Sequence, residues 1–206
     1  MGEKTRTNAA GEVVKAWDHD PPATQKLTPL GIVVLATGML TLFFGSRETS
    51  DFWGDGLKRW WAMVRRQYAH VRQLVIYLDN GPNNSGIRTQ FLKRMIEFAD
   101  SSGLTIRLVY YPPYHSKYNP IERCWSALER KWNGVLLINL KVVFQCALRM
   151  VWKGRHPTVK RLDGDYPEGV CIPRSVKAKR ELEGRLERSA ALAKYDITIR
   201  PQATGR

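Results

Sequence analysis

The sequence predicts an α/β fold in which short strands alternate with helices around a mixed sheet. Two runs rich in apolar and β-branched residues read as strands, Gln73 to Asp79 and Thr105 to Tyr111. Each run is followed by a segment in which apolar residues recur at helical spacing. A strand, a helix, a second strand and a second helix in this order are typical of an open α/β sheet.

The segment before these strands predicts a β-hairpin and a helix. Gly31 to Gly45 divides into two apolar runs around a short turn region, which is the pattern of a hairpin. Thr49 or Ser50 is expected to cap a helix that begins near Asp51, because small hydroxyl side chains are preferred at this position.

Three further helices are predicted downstream. Ser85 to Ser101 is amphipathic, and Gly103 follows it as glycine commonly follows a helix. Asn119 and Pro120 predict a helix start, because Asn is a preferred cap and Pro fits the first turn. Asn139 to Lys153 is the last helix of this region.

The composition indicates a folded protein with a polyanionic partner. The chain has 206 residues, a net charge of +14 and seven tryptophans. A strong positive charge attracts polyanions, and so many aromatic residues are unlike a disordered basic tail. A basic protein of the ribosome would also be strongly positive, so net charge alone does not identify the function.

The cysteines and the apolar segments predict a cytoplasmic protein without a membrane partner. Cys124, Cys146 and Cys171 are odd in number and have no metal-binding spacing, which favours reduced thiols. Met1 to His19 is polar, unlike a signal peptide. Leu30 to Phe44 is shorter than the roughly 20 residues that a membrane helix needs.

The sequence changes character after Lys153. The following residues scatter glycine, proline and charge without a clear period, and Val176 to Leu192 is a strongly charged predicted helix. We therefore expect a folded domain over residues 1–153 and a helical, basic C-terminal appendage over residues 154–206.

Two acids are the candidate site. Asp79 ends a predicted strand, and Glu122 lies near the start of the helix that follows the next strand. Sites in open α/β sheets form at the carboxyl ends of strands, and paired carboxylates hold Mg²⁺ or Mn²⁺ for phosphoryl transfer. Two plainer interpretations stay open: Asp79 as a turn residue, and Glu122 as the glutamate of a capping box with Asn119.

The sequence around these acids carries a family resemblance. One block reads Leu-Asp-Asn-Gly-Pro-Asn-Asn from residue 78, and the other reads Tyr-Pro-Pro-Tyr-His-Ser-Lys-Tyr-Asn-Pro-Ile-Glu-Arg-Cys-Trp from residue 111. Together they resemble the second and third acidic blocks of DDE transposases. The resemblance is closest to the Rhodopirellula-type insertion-sequence transposases, relatives of the Tc1/mariner-like group.

This resemblance implies a ribonuclease H-like, retroviral integrase-like fold and a two-metal reaction. Asp79 would be the second acid and Glu122 the third, holding Mg²⁺ or Mn²⁺ for DNA cleavage and strand transfer. The implied partners are the insertion-sequence ends and the target DNA, with a homo-oligomer assembled on them in the nucleoid. Candidates for DNA contact in the two blocks are Asn80, Asn83, His115, Lys117 and Arg123. Asn84 is a candidate for positioning DNA or water, and His115 also fits a plain surface role.

The first acid of the family pattern has no evident counterpart. In the family it lies on the first strand, just before a basic segment that Gly2 to Arg6 resembles. We therefore expect the chain to lack that strand, its acid and a helix-turn-helix, and to be an incomplete or inactive fragment. Asp18 and Asp20 are possible substitutes, but a strand-end turn before Pro21 is the preferred interpretation.

Three other functions remain open. The chain could be another ribonuclease H-like nuclease, such as a resolvase, although the second block argues against this. It could be a non-catalytic nucleic-acid-binding protein with a ribonuclease H-like fold, or a scaffold or ribosomal protein. Metal-dependent DNA cleavage separates these classes, whereas salt-dependent DNA binding does not.

Overall fold

The computed structural model describes residues 4–7, 13–16, 27–112, 115, 118–135, 137, 139–173 and 175–202. Five helices lie within these residues: α1 (Ser50–Val64), α2 (Thr89–Ser102), α3 (Pro120–Trp132), α4 (Leu140–Leu148) and α5 (Val176–Glu183). Nine strands accompany them: β1 (Lys4–Thr7), β2 (Val13–Ala16), β3 (Thr28–Val33), β4 (Leu40–Gly45), β5 (Gln73–Leu78), β6 (Thr105–Tyr110), β7 (Thr158–Arg161), β8 (Glu187–Arg188) and β9 (Asp196–Ile199).

The strands form one two-stranded hairpin and two mixed sheets, which confirms the predicted α/β class. β1 and β2 pair with each other. The three-stranded sheet has the order β3-β4-β7, and the four-stranded sheet has the order β5-β6-β9-β8. β5 and β6 are parallel in register from Gln73 opposite Thr105 to Leu78 opposite Tyr110, whereas β3 and β4 are antiparallel.

Local sequence signals set most element boundaries where they were expected. The predicted hairpin is β3-β4, although its first strand begins at Thr28, before the expected start of the hairpin at Gly31. Thr49 caps α1 by accepting a hydrogen bond from the Phe52 N–H. Gly103 ends α2 with a φ of 70°, a left-handed conformation that glycine adopts without strain. Asn119 caps α3 as predicted.

Helices cover both faces of the three-stranded sheet. Phe43 of β4 packs with Phe52 and Trp60 of α1. Its neighbour Phe44 packs on the other face, in the cluster that contains Leu128 of α3. Because successive residues of a strand point to opposite faces, α1 and α3 lie on opposite sides of this sheet.

The residues after Lys153 contribute strands to both mixed sheets, which the sequence analysis did not predict. β7 pairs with β4, and β9 pairs with β6. Ile197 and Ile199 of β9 are fully buried. The described residues of this segment therefore form three strands and one helix, while the domain boundary at Lys153 stays a prediction.

Two predicted helices end earlier than expected, and the helix predicted over Ser85 to Ser101 begins only at Thr89. The helix predicted over Val176 to Leu192 ends at Glu183, because β8 and β9 then return along the sheet. The helix predicted to run to Lys153 ends at Leu148. Helical periodicity extends into both following turns, so it did not mark these ends.

The most apolar stretch of the chain, Leu30 to Phe44, forms most of the β3-β4 hairpin. Within the described residues, no helix has the length and apolar character needed to cross a membrane.

Candidate active site

Asp79 follows β5 directly, at the carboxyl end of the strand. Its Oδ1 atom accepts hydrogen bonds from the Asn84 side-chain amide at 2.8 Å and from the Gly81 N–H at 3.4 Å. Asn80 turns the chain with a φ of 63°, a left-handed conformation that Asn tolerates better than most residues. The loop after β5 therefore folds back on the carboxylate and fixes one of its oxygens.

Asn84 holds this loop in place. It is only 1% exposed, and its carbonyl accepts a hydrogen bond of 2.9 Å from the Tyr110 hydroxyl at the end of β6. Burial raises the pKa of Tyr110, so this hydroxyl keeps its proton and remains a donor. The Ser50 hydroxyl at the start of α1 donates to the Asn83 carbonyl at 2.9 Å. Two separate elements thus support the segment that orients Asp79.

Glu122 lies in the first turn of α3 and on the wall of the same cavity as Asp79. Its pKa is raised above the usual value, first by partial burial and then by the negative charges of Asp79 and Glu129. Like charges raise the pKa of a carboxyl group when they are close to it. The structure therefore brings together the two acids that the sequence singles out.

The start of α3 explains how Glu122 reaches this position. Asn119 is buried, and its side-chain oxygen accepts a hydrogen bond of 3.4 Å from the Ile121 N–H. Pro120 occupies the first helical position, where a missing N–H costs nothing. The cap fixes the helix start, and the capping-box role of Glu122 stays a prediction.

The two carboxylates suit a hard divalent cation. A cation between them would neutralise the repulsion that raises the pKa of Glu122, and carboxylate oxygen is the preferred ligand of Mg²⁺. Within the described part of the chain, no three His, Cys, Asp or Glu residues converge on one point. Asp18 and Asp20, the possible substitutes for the first acid, lie outside the described residues.

The other predicted site residues that the structure describes do not line this cavity. Arg123 is exposed on α3, and Asn83 contributes its carbonyl to the contact with Ser50. His115 is exposed and stacks on Tyr118 with ring centroids 5.8 Å apart. Lys117 lies outside the described residues. DNA contact by these residues and by Asn80 stays a prediction.

The supporting role of Tyr110 was not predicted from the sequence. Asn84 donates to Asp79, and its expected role in positioning DNA or water stays a prediction. A tyrosine at a buried strand position needs a partner for its hydroxyl, and this was the available signal for Tyr110.

A comparison with known protein families identifies the family of this chain. The model of the Rhodopirellula transposase DDE domain matches residues 2–201, which include both acidic blocks. The chain belongs to this family of transposase DDE domains. The resemblance drawn from the two blocks is thereby confirmed over nearly the whole chain. No curated protein and no solved structure matches this transposase domain.

Proposed function

We propose that this chain is the catalytic part of a DDE transposase, in which Asp79 and Glu122 hold a divalent cation for DNA cleavage and strand transfer. The observation that carries the proposal is their shared position. Each acid comes from one of the two family blocks, both line one cavity, and the charge of Asp79 contributes to the raised pKa of Glu122.

We further propose that the fold is ribonuclease H-like. The antiparallel pair β3-β4 is followed by α1, the parallel pair β5-β6 and then α3. This order supports the proposal because it puts the end of β5 beside the start of α3.

The chemistry of the site follows from its charges and its fixed loop. When bound, Mg²⁺ or Mn²⁺ would activate the attacking hydroxyl and stabilise the leaving oxygen at phosphorus. Asn84 orients Asp79 by donating to one carboxylate oxygen, which leaves the other oxygen free of that bond. The raised pKa of Glu122 means that a cation competes with a proton, so cation affinity should increase with pH.

A two-metal reaction normally takes three carboxylates, and the described residues bring together two. We therefore expect the isolated chain to bind Mn²⁺ weakly and to cleave DNA poorly or not at all. DNA is the proposed partner, since a net charge of +14 favours a polyanion. Contacts to phosphate are proposed for Arg123, His115 and Lys117, and the proposed setting is the bacterial-type nucleoid.

The test combines calorimetric Mn²⁺ binding with nicking of supercoiled DNA that carries the element's ends. Asp79→Asn and Glu122→Gln should each lower Mn²⁺ affinity by roughly 10–100-fold or more. Loss of a residue that only supports a metal ligand already has an effect of this size. Asp163→Asn and Glu181→Gln change acids that are exposed and lie outside the cavity, so they serve as matched controls. Equal Mn²⁺ affinity in all four variants would contradict the proposed metal site.

A second function has its own support. The strongly basic composition, together with only two acids that converge among the described residues, also suits a non-catalytic nucleic-acid-binding protein. That alternative requires salt-dependent DNA binding that Asp79→Asn leaves unchanged, with no nicking at saturating Mn²⁺. If the chain alone nicks DNA and Asp79→Asn abolishes nicking, both this alternative and the expected inactivity are wrong.

A further inference from the structure

The loop that carries Asp79 is attached to the C-terminal part of the chain at a second place, Gly86. The Gly86 carbonyl accepts a hydrogen bond of 3.0 Å from Nη1 of Arg188 in β8. Gly86 lies two residues after Asn84, whose side chain donates to Asp79. Arg188 therefore binds the same loop that presents the candidate metal ligand.

The Arg188 side chain is held on several sides. Its Nε and Nη2 atoms each donate to a carboxylate oxygen of Glu183 at 2.9 Å. Its Nη1 atom donates to the carbonyls of Gly86 and Ala193, both at 3.0 Å. Because a guanidinium is planar and its N–H groups have a fixed geometry, these four bonds fix its position. Only the bond to Gly86 leaves the segment from Glu183 to Ala193, so this bond ties the segment to the loop.

The backbone of Gly86 also fits closely against the C-terminal hairpin, which consists of β8, β9 and the residues between them. A side chain at this position would collide with the Lys194 carbonyl oxygen and press on Ile197 of β9. Ile197 is fully buried, so β9 has little room to move away. Glycine permits this approach because it has no Cβ. The loop and the hairpin are therefore close together where Arg188 joins them.

The other support of the loop leads to the same hairpin. The Tyr110 hydroxyl donates to the Asn84 carbonyl, and the Tyr110 N–H donates to the carbonyl of Tyr195 at 2.9 Å. Tyr195 directly precedes β9. Burial raises the pKa of Tyr110, and the positive charge of Arg188 opposes that rise, so the two groups are near each other. The hairpin thus supports the segment from Asn84 to Gly86 through two separate contacts.

We propose that Arg188 is a positioning residue for the candidate active site. By holding Gly86 against the C-terminal hairpin, it keeps Asn84 in the place from which its amide orients the Asp79 carboxylate. This role rests on the proposed function, in which Asp79 binds a divalent cation. The positive charge of Arg188 would by itself repel that cation, so its expected benefit comes from geometry.

Calorimetric Mn²⁺ binding tests the consequence for the site. Arg188→Lys keeps the charge but cannot reproduce the forked contacts, and Mn²⁺ affinity should fall by about tenfold, the lower end of the effect of losing an outer-shell partner. Arg188→Ala should lower the affinity as well, although removing a positive charge by itself favours cation binding. An affinity that is unchanged in Arg188→Lys, or raised in Arg188→Ala, would overturn the proposal.

Two control variants separate the contact with Gly86 from general stability. The side chain of Arg185 is 18% exposed and that of Arg188 is 21% exposed, and Arg185 makes a forked pair with Asp100 near the other end of α2. Arg185→Lys should therefore disturb the C-terminal segment to a similar degree and leave Mn²⁺ affinity unchanged. Glu183→Gln removes the ion pair of Arg188 but not its bond to Gly86, so it should also leave the affinity unchanged. A fall in either control as large as in Arg188→Lys would mean that Arg188 acts only through stability or its ion pair, and would overturn the proposed role.

Hydrogen exchange in EDTA tests the loop without metal or DNA. The N–H groups of Asn84 and Arg88 form hydrogen bonds within the loop and report on its opening. Arg188→Lys should speed exchange over residues 79–88 by about tenfold, because a hydrogen bond from a charged donor is lost, and Arg185→Lys should not. Unchanged exchange in Arg188→Lys would overturn the proposal. If exchange increases as expected but the unmodified chain binds no Mn²⁺, the proposed metal-binding function is wrong and the support of the loop by Arg188 stands.

Discussion

β5 and β6 are neighbouring strands of equal length and similar composition, yet they are buried very differently. Both have six residues. β5 ends just before Asp79, and β6 ends at Tyr110, whose hydroxyl supports the loop that carries Asp79. β6 lies between β5 and β9, and its Ile106 and Leu108 are fully buried. Among the described strands β5 pairs only with β6, and its Val75 and Tyr77 are 39% and 46% exposed.

This difference shows that burial of a strand depends on its neighbours as much as on its own residues. Five of the six residues of β5 are apolar or aromatic, a composition typical of a buried strand. Leu74 and Ile76 do pack on the main core, but every residue from Leu74 to Leu78 also lines the cavity that contains Asp79 and Glu122. The molecule therefore has a closed side around β6 and an open side along β5.

The largest expected effect comes from a substitution in β6, on the closed side of the molecule. Leu108→Ala in β6 should cost about 2–5 kcal/mol of unfolding free energy, because it leaves a cavity in a fully buried cluster. Val75→Ala in β5 should change the unfolding free energy by less than about 1 kcal/mol, since this side chain is partly exposed. Urea denaturation of both variants measures the contrast. Equal losses would mean that β5 is as enclosed in solution as β6.

A smaller effect is expected where the closed side supports the site. Asn84→Ala removes the amide that donates to Asp79, while Tyr110 still reaches the backbone of residue 84. Mn²⁺ affinity should fall by about 10–100-fold, as when an outer-shell partner of a metal ligand is lost. Asn133→Ala, at an exposed position after α3, is the matched control for calorimetry. Unchanged affinity in Asn84→Ala would show that Asp79 needs no support from this residue.

The smallest effect concerns pH and Glu122. Its pKa in the folded chain is raised from 4.5, so the folded state binds the proton more tightly than the unfolded state does. This group's contribution to stability is therefore full at pH values below 4.5 and is lost as pH rises through the raised pKa. Glu122→Gln should stabilise the chain near pH 7 and have no such effect near pH 4. The gain should be below about 1 kcal/mol because the side chain is partly in solvent.

Thermal melts at both pH values measure this effect, which corresponds to at most about 2–4 °C in a chain of this size. Glu122→Ala separates repulsion from helix capping, because glutamine can fill a capping box and alanine cannot. If Glu122→Ala is clearly less stable than Glu122→Gln, the capping-box interpretation gains support. A destabilised Glu122→Gln at pH 7 would contradict the raised pKa.

Short-range signals in the sequence determined much of the fold and pointed to the two candidate acids, Asp79 and Glu122. Thr49, Gly103 and Asn119 mark helix ends through hydrogen bonds and backbone angles that involve only nearby residues. Asp79 could be found because it directly follows a strand that the sequence predicts. Glu122 could be found because it lies in the first turn of a predicted helix. The family match covers residues 2–201, which include the same two blocks.

Only the tertiary structure decided which strands are neighbours. β9 pairs with β6 across nearly ninety residues, and β7 pairs with β4 across more than a hundred. Such pairings depend on backbone groups that every residue carries, so no local pattern specifies them. The bond from Asn84 to Asp79, the support from Tyr110 and the cavity that Asp79 and Glu122 share are likewise consequences of how the elements pack. Residue type therefore set several helix ends and the chemistry that each element carries, and packing decided which strands and side chains become neighbours.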